Sequence, residues 1–192
     1  MPHECDADVL APVPRGHTAL VTEASDELSL LLAERSIARV LASYARGIDR
    51  VDLELVRRCY WPDATDDHGG YSGGVDGFLA FVAAALARFE RTNHFLGNVL
   101  IDADLDRGVA RAETYCVAYH RYTDADGHPT DMTAGLRYVD RFERRHGEWR
   151  IARRVCAYDW RRVDVVDGDG GFAAGYQRGR RGPDDIVWHV LG

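Results

Sequence analysis

The order of two hydrophobic periods along the 192-residue chain predicts an α+β fold. Apolar residues recur at helical spacing up to about residue 90, then at every second position from Thr92 to about residue 164. Turn-forming residues cut the second half at 104–108, 124–127 and 146–147, which makes an antiparallel meander. Helices first and strands afterwards is the α+β pattern.

The first helix is expected to start near Ser25 or Asp26, either of which can cap it. Its stripe runs Ile37, Val40, Leu41, Tyr44, Ile48, and it ends near Asp49-Arg50. A short second helix, 53–60, stops at Pro62. Residues 63–71 suit a short strand, broken by Gly69-Gly70 and Gly73-Gly74. A third helix, 75–90, carries Phe78, Phe81, Val82, Ala85, Leu86 and Phe89. The strands read as 94–103, 109–123, 131–145 and 148–164. Three regions follow: a flexible arm at 1–25, one folded domain at 26–165, and a tail at 166–192. The tail's apolar end, Ile186-Val187-Trp188, suggests a lid or an oligomer arm.

Composition excludes several functions. Hydrophobic content of 46% supports a folded core, and a net charge of -7 argues against nucleic acid as a partner. All 24 basic residues are arginine, so no lysine Schiff base can form. Cys5, Cys59, Cys116 and Cys156 show no Cys-x-x-Cys spacing and read as free thiols. No apolar run reaches the ~20 residues of a membrane span. The acidic N-terminus lacks a signal-peptide pattern, so a cytoplasmic protein is expected. His3, Cys5, His17, His128 and His146 lack ligand-pair spacing, and no metal is expected. Phosphate-loop and Gly-x-Ser-x-Gly patterns are missing.

The informative residues are Asp49, at the end of the first helix, and His94, at the start of a strand. Imidazole exchanges protons near neutrality, and a carboxylate on its second nitrogen fixes its tautomer. The competing reading is a packed histidine and a solvated aspartate. Tyr44 is either a core tyrosine or a hydrogen-bond donor to substrate. His120 shares a strand face with Thr114, Cys116 and Ala118; that face or the one carrying Tyr115, Val117 and Tyr119 is concave. His68 is a second donor or a loop histidine. Arg153 and Arg154 take opposite faces, and one of them can clamp an anion.

Several stretches resemble the SnoaL-like branch of the nuclear transport factor 2-like superfamily. They are Tyr44-Ala45-Arg46-Gly47-Ile48-Asp49, Trp61-Pro62-Asp63-Ala64, Thr92-Asn93-His94-Phe95-Leu96-Gly97-Asn98, Ala112-Glu113-Thr114-Tyr115, and Arg137-Tyr138-Val139-Asp140-Arg141-Phe142-Glu143 with Gly147-Glu148-Trp149. The resemblance covers roughly residues 28–164. It implies a cone-shaped, curved mixed or antiparallel sheet wrapped round three N-terminal helices, a cystatin-like α+β barrel. Within the branch the chain is similar to scytalone dehydratase, bile-acid 7α-dehydratase and hexachlorocyclohexane dehydrochlorinase. That similarity implies a cofactor-independent acid–base lyase, with a polyketide cyclase or isomerase as alternative. Asp49, His94 and Tyr44 fall on catalytic positions, and His68, His120 and Arg154 on pocket positions. Trp61, Phe78, Val82, Phe95 and Tyr138 are expected in an apolar wall. The implied partners are a small hydrophobic substrate and a second or third copy of the chain. The same fold also hosts ligand-binding proteins and the β subunit of ring-hydroxylating dioxygenases, a non-catalytic alternative.

Overall fold

The computed structural model describes residues 16–167, 171, 173 and 175–190. Helix α1 runs Gly16–Arg50, α2 Leu53–Arg58 and α3 Val75–Leu86. The strands are β1 Tyr60–Asp67, β2 Ser72–Gly74, β3 Arg91–Asp104, β4 Val109–Thr123, β5 Pro129–Arg145 and β6 Glu148–Val165. A single 3-10 turn at Gly182–Asp184 and a short helix α4, Val187–Val190, close the described chain.

The expected stripe of α1 is the one that packs. Ile37, Leu41, Tyr44 and Ile48 are buried, and Val40 lies against them. Each such side chain contributes roughly 1.5–3 kcal/mol on leaving water. The helix begins earlier than the capping residues suggest: residues 16–25 of the expected arm belong to α1, and residues 1–15 lie outside the described residues. Ser25 is interior to the helix, so its neighbours' helix propensity outweighs its capping preference.

The end of α1 places Asp49. Val51 takes a left-handed φ of 58°, unusual for a β-branched residue. The Asp52 N–H then donates to the Gly47 carbonyl at 2.8 Å, closing the helix. Asp52 caps α2 by accepting from the Leu55 N–H at 2.9 Å. Gly47 permits this tight corner, because a Cβ there would lie 2.7 Å from Val56 Cγ2.

The sheet has six strands in the order β2-β1-β6-β5-β4-β3. All neighbours are antiparallel except β1 and β6, which are parallel, so the sheet is mixed. Its outermost strands, β2 and β3, do not pair with each other. The expected barrel is therefore an open, curved sheet. Register shifts at Leu96/Val99, Gly135/Leu136 and Arg141/Phe142 bend the long strands. At Gly135 a Cβ would lie 2.1 Å from Trp160 Nε1, so glycine lets that ring cross β5.

Burial identifies the concave face. Thr114, Cys116 and Ala118 are buried, while Tyr115 and Val117 of the same strand are exposed. The small side chains of β4 point inward, and His120 follows their alternation. Among the described residues no helix is long and apolar enough to cross a membrane.

Candidate acid–base site

Asp49 and His94 meet at the junction of α1 and β3. Asp49 Oδ1 lies 2.7 Å from His94 Nδ1, Asp49 Oδ2 accepts the His94 backbone N–H at 2.9 Å, and the Thr92 hydroxyl donates to Oδ1 at 2.9 Å. Thr92 and His94 are two residues apart on one strand, so both face the carboxylate. Burial works against the charge on Asp49, but the His94 ring and amide and the Thr92 hydroxyl outweigh it. They hold the carboxyl below its usual value. An ionised Asp49 takes the hydrogen on His94 Nδ1 and leaves Nε2 free. The His94 side chain is 8% exposed.

A cavity of about 840 Å³ opens beside this pair. Tyr44 and Ile48 of α1 and Phe81, Val82, Ala85 and Leu86 of α3 form its roof. Ala118 and His120 of β4, Met132, Ala134, Leu136 and Tyr138 of β5, and His68 make its floor and wall. Exposed Arg88, Tyr158, Asp159, Trp160 and Arg161 ring the mouth. This size and apolar character suit a small organic molecule.

His120 packs edge-on to His94 with ring centroids 5.5 Å apart, and lies 4.6 Å from the Phe89 ring. Burial, with a smaller push from His94, lowers its pKa to about 4. His120 is therefore neutral at physiological pH, and its buried Nδ1 has no protein partner. Burial pushes the Tyr44 hydroxyl well above its usual range, against the pull of Arg154. His120 is a neutral hydrogen-bonding group beside His94, and Tyr44 is one in the cavity wall next to Arg154.

Arg154 is inside, as the strand alternation allows, but it does not reach the cavity. It is 0% exposed, and Nε and Nη2 form a two-point pair with Asp140 at 2.8 and 2.7 Å. The Tyr44 and Tyr138 rings stack on its guanidinium at 4.1 Å each. The expected clamp on a substrate anion is thus spent on Asp140, and Arg154 supports Tyr44 from behind.

Three of the five expected wall residues lie elsewhere. Phe95 is 67% exposed on the convex side, because it is one residue out of phase with His94. Trp61 donates to the Glu143 carbonyl at 3.0 Å and stacks under Arg145 and Arg150. Phe78 packs behind His68 with ring centroids 5.1 Å apart. Val82 and Tyr138 are in the wall.

Sequence reasoning missed Asp66, whose Oδ1 lies 2.9 Å from His68 Nδ1. The signal was there: Asp-x-His at strand spacing puts both side chains on one face. Asp124, Asp126 and His128 gather at the β4–β5 turn. Asp124 is occupied there with the backbone N–H groups of Asp126 and His128 at 3.0 and 2.8 Å.

The tail docks through polar groups. Arg181 Nη1 donates to the Leu86 and Phe89 carbonyls at 2.9 and 2.7 Å, at the C-terminal end of α3. Buried Asp185 accepts the Arg180 and Val187 N–H groups at 2.8 and 3.1 Å and faces Arg50 Nε at 3.4 Å. Arg46 lies over Trp188 at 4.8 Å. Ile186, Trp188 and Val190 remain exposed on the single chain.

The backbone is similar to several solved proteins. A candidate scytalone dehydratase from Novosphingobium aromaticivorans is 20% identical, with a TM-score of 0.61 over 77% of this chain and 97% of that one. Hexachlorocyclohexane dehydrochlorinase type 3 from Novosphingobium barchaimii is 16% identical, with a TM-score of 0.63 over 77% and 99%. An NTF2-like protein with a cystatin-like fold from Novosphingobium aromaticivorans is 22% identical, with a TM-score of 0.56 over 78% and 92%. No curated protein sequence matches the chain. The family model for the SnoaL-like domain matches residues 29–155, and the chain belongs to that family.

Proposed function

We propose that this protein is a lyase that uses its own side chains as acid and base to eliminate water, or a similar small group, from a neutral hydrophobic molecule. The carrying observation is the Asp49–His94 pair at 2.7 Å on the wall of an apolar cavity of about 840 Å³. Family membership and the dehydratase and dehydrochlorinase among its structural neighbours support a lyase or isomerase class.

His94 Nε2 takes a proton from a carbon next to a carbonyl. Asp49 orients the ring and stabilises the imidazolium that forms. Tyr44 and the neutral His120 hydrogen-bond the carbonyl oxygen as charge grows on it. Among the described residues, Arg154 is held by Asp140, and Arg88 and Arg161 sit exposed at the mouth of the cavity. A neutral, ring-containing substrate, polyketide- or steroid-like, fits such a lining. Aldol-type cyclisation and isomerisation begin with the same proton abstraction and are the alternative outcomes. A purely structural role is disfavoured by the open cavity, which a packed subunit would fill.

The test is deuterium exchange into the α-positions of 2-tetralone in D2O, followed by NMR. The wild type should accelerate exchange, and His94→Gln should lower the enzymatic rate by about 10²–10⁴-fold while melting near the wild-type temperature. No acceleration by the wild type, or equal rates in the variant, would reject the reading.

A further inference from the structure

The cavity carries a second Asp–His pair. Asp66 is buried at the end of β1, and both of its oxygens are engaged: the Tyr60 hydroxyl donates to Oδ2 at 2.6 Å, and His68 Nδ1 lies 2.9 Å from Oδ1. His68 lines the cavity; with a hydrogen on Nδ1 directed at the carboxylate, Nε2 is its second ring nitrogen, with Cys156 Sγ 3.5 Å away. This repeats the arrangement of Asp49 and His94 at the other side of the sheet. β1 and β3 are separated by β6, β5 and β4. At about 4.8 Å per strand this is roughly 19 Å along the sheet, which the curl brings round a single cavity.

The surroundings of the two pairs differ. Behind His68 lie Arg154, Asp140 and Asp66, all buried. Asp140 engages two arms of Arg154, while Asp66 is engaged by Tyr60 and His68. The other titratable groups around His68 include Tyr60 on β1, Tyr44 on α1, Tyr138 on β5, and Cys156 and Tyr158 on β6. Burial pushes the four tyrosines and the Cys156 thiol upward, so none of them adds negative charge. Cys156 Sγ, 3.2 Å from His68 Nδ1, is a protonated neighbour and not a nucleophile.

We propose that Asp66–His68 is the acid half of the site, with His68 giving its Nε2 proton to the departing oxygen while His94 takes the carbon proton. This rests on the lyase reading above. The C–H electron pair becomes the new C=C bond. The C–O bond breaks with its pair on oxygen, and that oxygen takes the His68 proton and leaves as water. His68 ends neutral and His94 cationic, and solvent returns the proton. The substrate class is a neutral β-hydroxy ketone whose acidic hydrogen and hydroxyl face opposite sides of the ring. His68 is the catalytic residue of this pair; Asp66 is a positioning residue.

The experiment compares two probes that share one ring system: α-exchange of 2-tetralone, which needs only the base, and dehydration of 4-hydroxy-2-tetralone to 2-naphthol, followed by absorbance. His68→Gln should slow dehydration by about 100-fold or more but exchange by less than about 10-fold. Its dehydration should also lose the fall in rate at high pH that marks a required acid. Asp66→Asn should slow dehydration more than exchange, since the carboxylate no longer orients the His68 ring. If the wild type exchanges 2-tetralone but His68→Gln dehydrates as fast as wild type, the donor is wrong and the base stands. If both probes slow equally in a His68→Gln protein that melts early, His68 is structural and the proposal fails. If the wild type exchanges neither, the lyase reading itself fails.

Discussion

Asp49 holds His94 twice, by its ring at 2.7 Å and by its own backbone N–H at 2.9 Å. One carboxylate thus joins the end of α1 to the start of β3 and sets the rotation of the imidazole. Asp49→Asn should cut activity by about 10²–10⁴-fold, because an amide N–H turned toward His94 disturbs its tautomer. It should also change acid stability. A carboxyl whose folded value is depressed stabilises the fold above its unfolded pKa, about 3.9, and loses that contribution as pH falls through the lower folded value. Urea titrations at pH 3 and pH 6 should show a smaller difference in Asp49→Asn than in the wild type.

His120 predicts a second, higher acid transition. Its pKa is about 4 in the fold, lowered first by burial and then by His94, against about 6.5 in an unfolded chain. Between these values the unfolded state binds the extra proton, so stability falls as pH drops from about 6.5 to about 4. The difference amounts to about 3 kcal/mol at most. His120→Gln should flatten stability across this window, measured by denaturant midpoints. An unchanged slope would mean that His120 is protonated in the fold.

Arg154 and Asp140 form a fully buried pair outside the lining of the acid–base cavity. Removing one partner leaves the other charge buried and unpaired, so Arg154→Met should cost about 3–5 kcal/mol. Arg154→Met combined with Asp140→Leu should recover much of that loss. Activity should not recover with stability, because Tyr44 rests on the guanidinium at 4.1 Å. A double variant that regains both would show that Tyr44 needs no such support.

The elements were legible because their periods are clean: Ile37, Leu41, Tyr44 and Ile48 repeat at helical spacing, and β4 alternates from Thr114 to His120. The acid–base pair was legible because both members sit at element ends, which sequence locates well. Arg154 was misread because its partner, Asp140, lies on the neighbouring strand; an ion pair across strands depends on register, which one sequence does not reveal. Trp61 and Phe78 were misplaced for a related reason. Apolar residues look alike whether they line a void or fill a core, and only packing separates them.

The convex face of the sheet predicts self-association. Phe95 pairs with Val117 across β3 and β4, and Leu100, Glu113 and Val139 sit in one row across β3, β4 and β5. Phe95, Val117, Leu100, Val139 and Tyr115 are all exposed. An apolar surface of this kind is commonly covered in closed assemblies. Light scattering at micromolar concentration should give a dimer or trimer, and Val117→Arg with Leu100→Glu should give monomers. A wild-type monomer would reject the assembly.

The tail is expected to control access to the base. Arg181 hangs from the Leu86 and Phe89 carbonyls, and both residues line the cavity. Partial burial lowers the Arg181 pKa, and the Asp49 carboxylate opposes this. Asp185 locks the following turn to α1 through Arg50. Loosening this strap should admit water and let the roof residues move, which weakens proton transfer in an apolar site. Deleting residues 184–192 should therefore slow 2-tetralone exchange while the melting temperature stays near that of the wild type. Arg181→Met should act in the same direction, with faster amide hydrogen exchange at residues 86–89. Loss of stability or of the oligomer on deletion, with exchange per folded molecule intact, would make the tail a structural patch on α1 and α3.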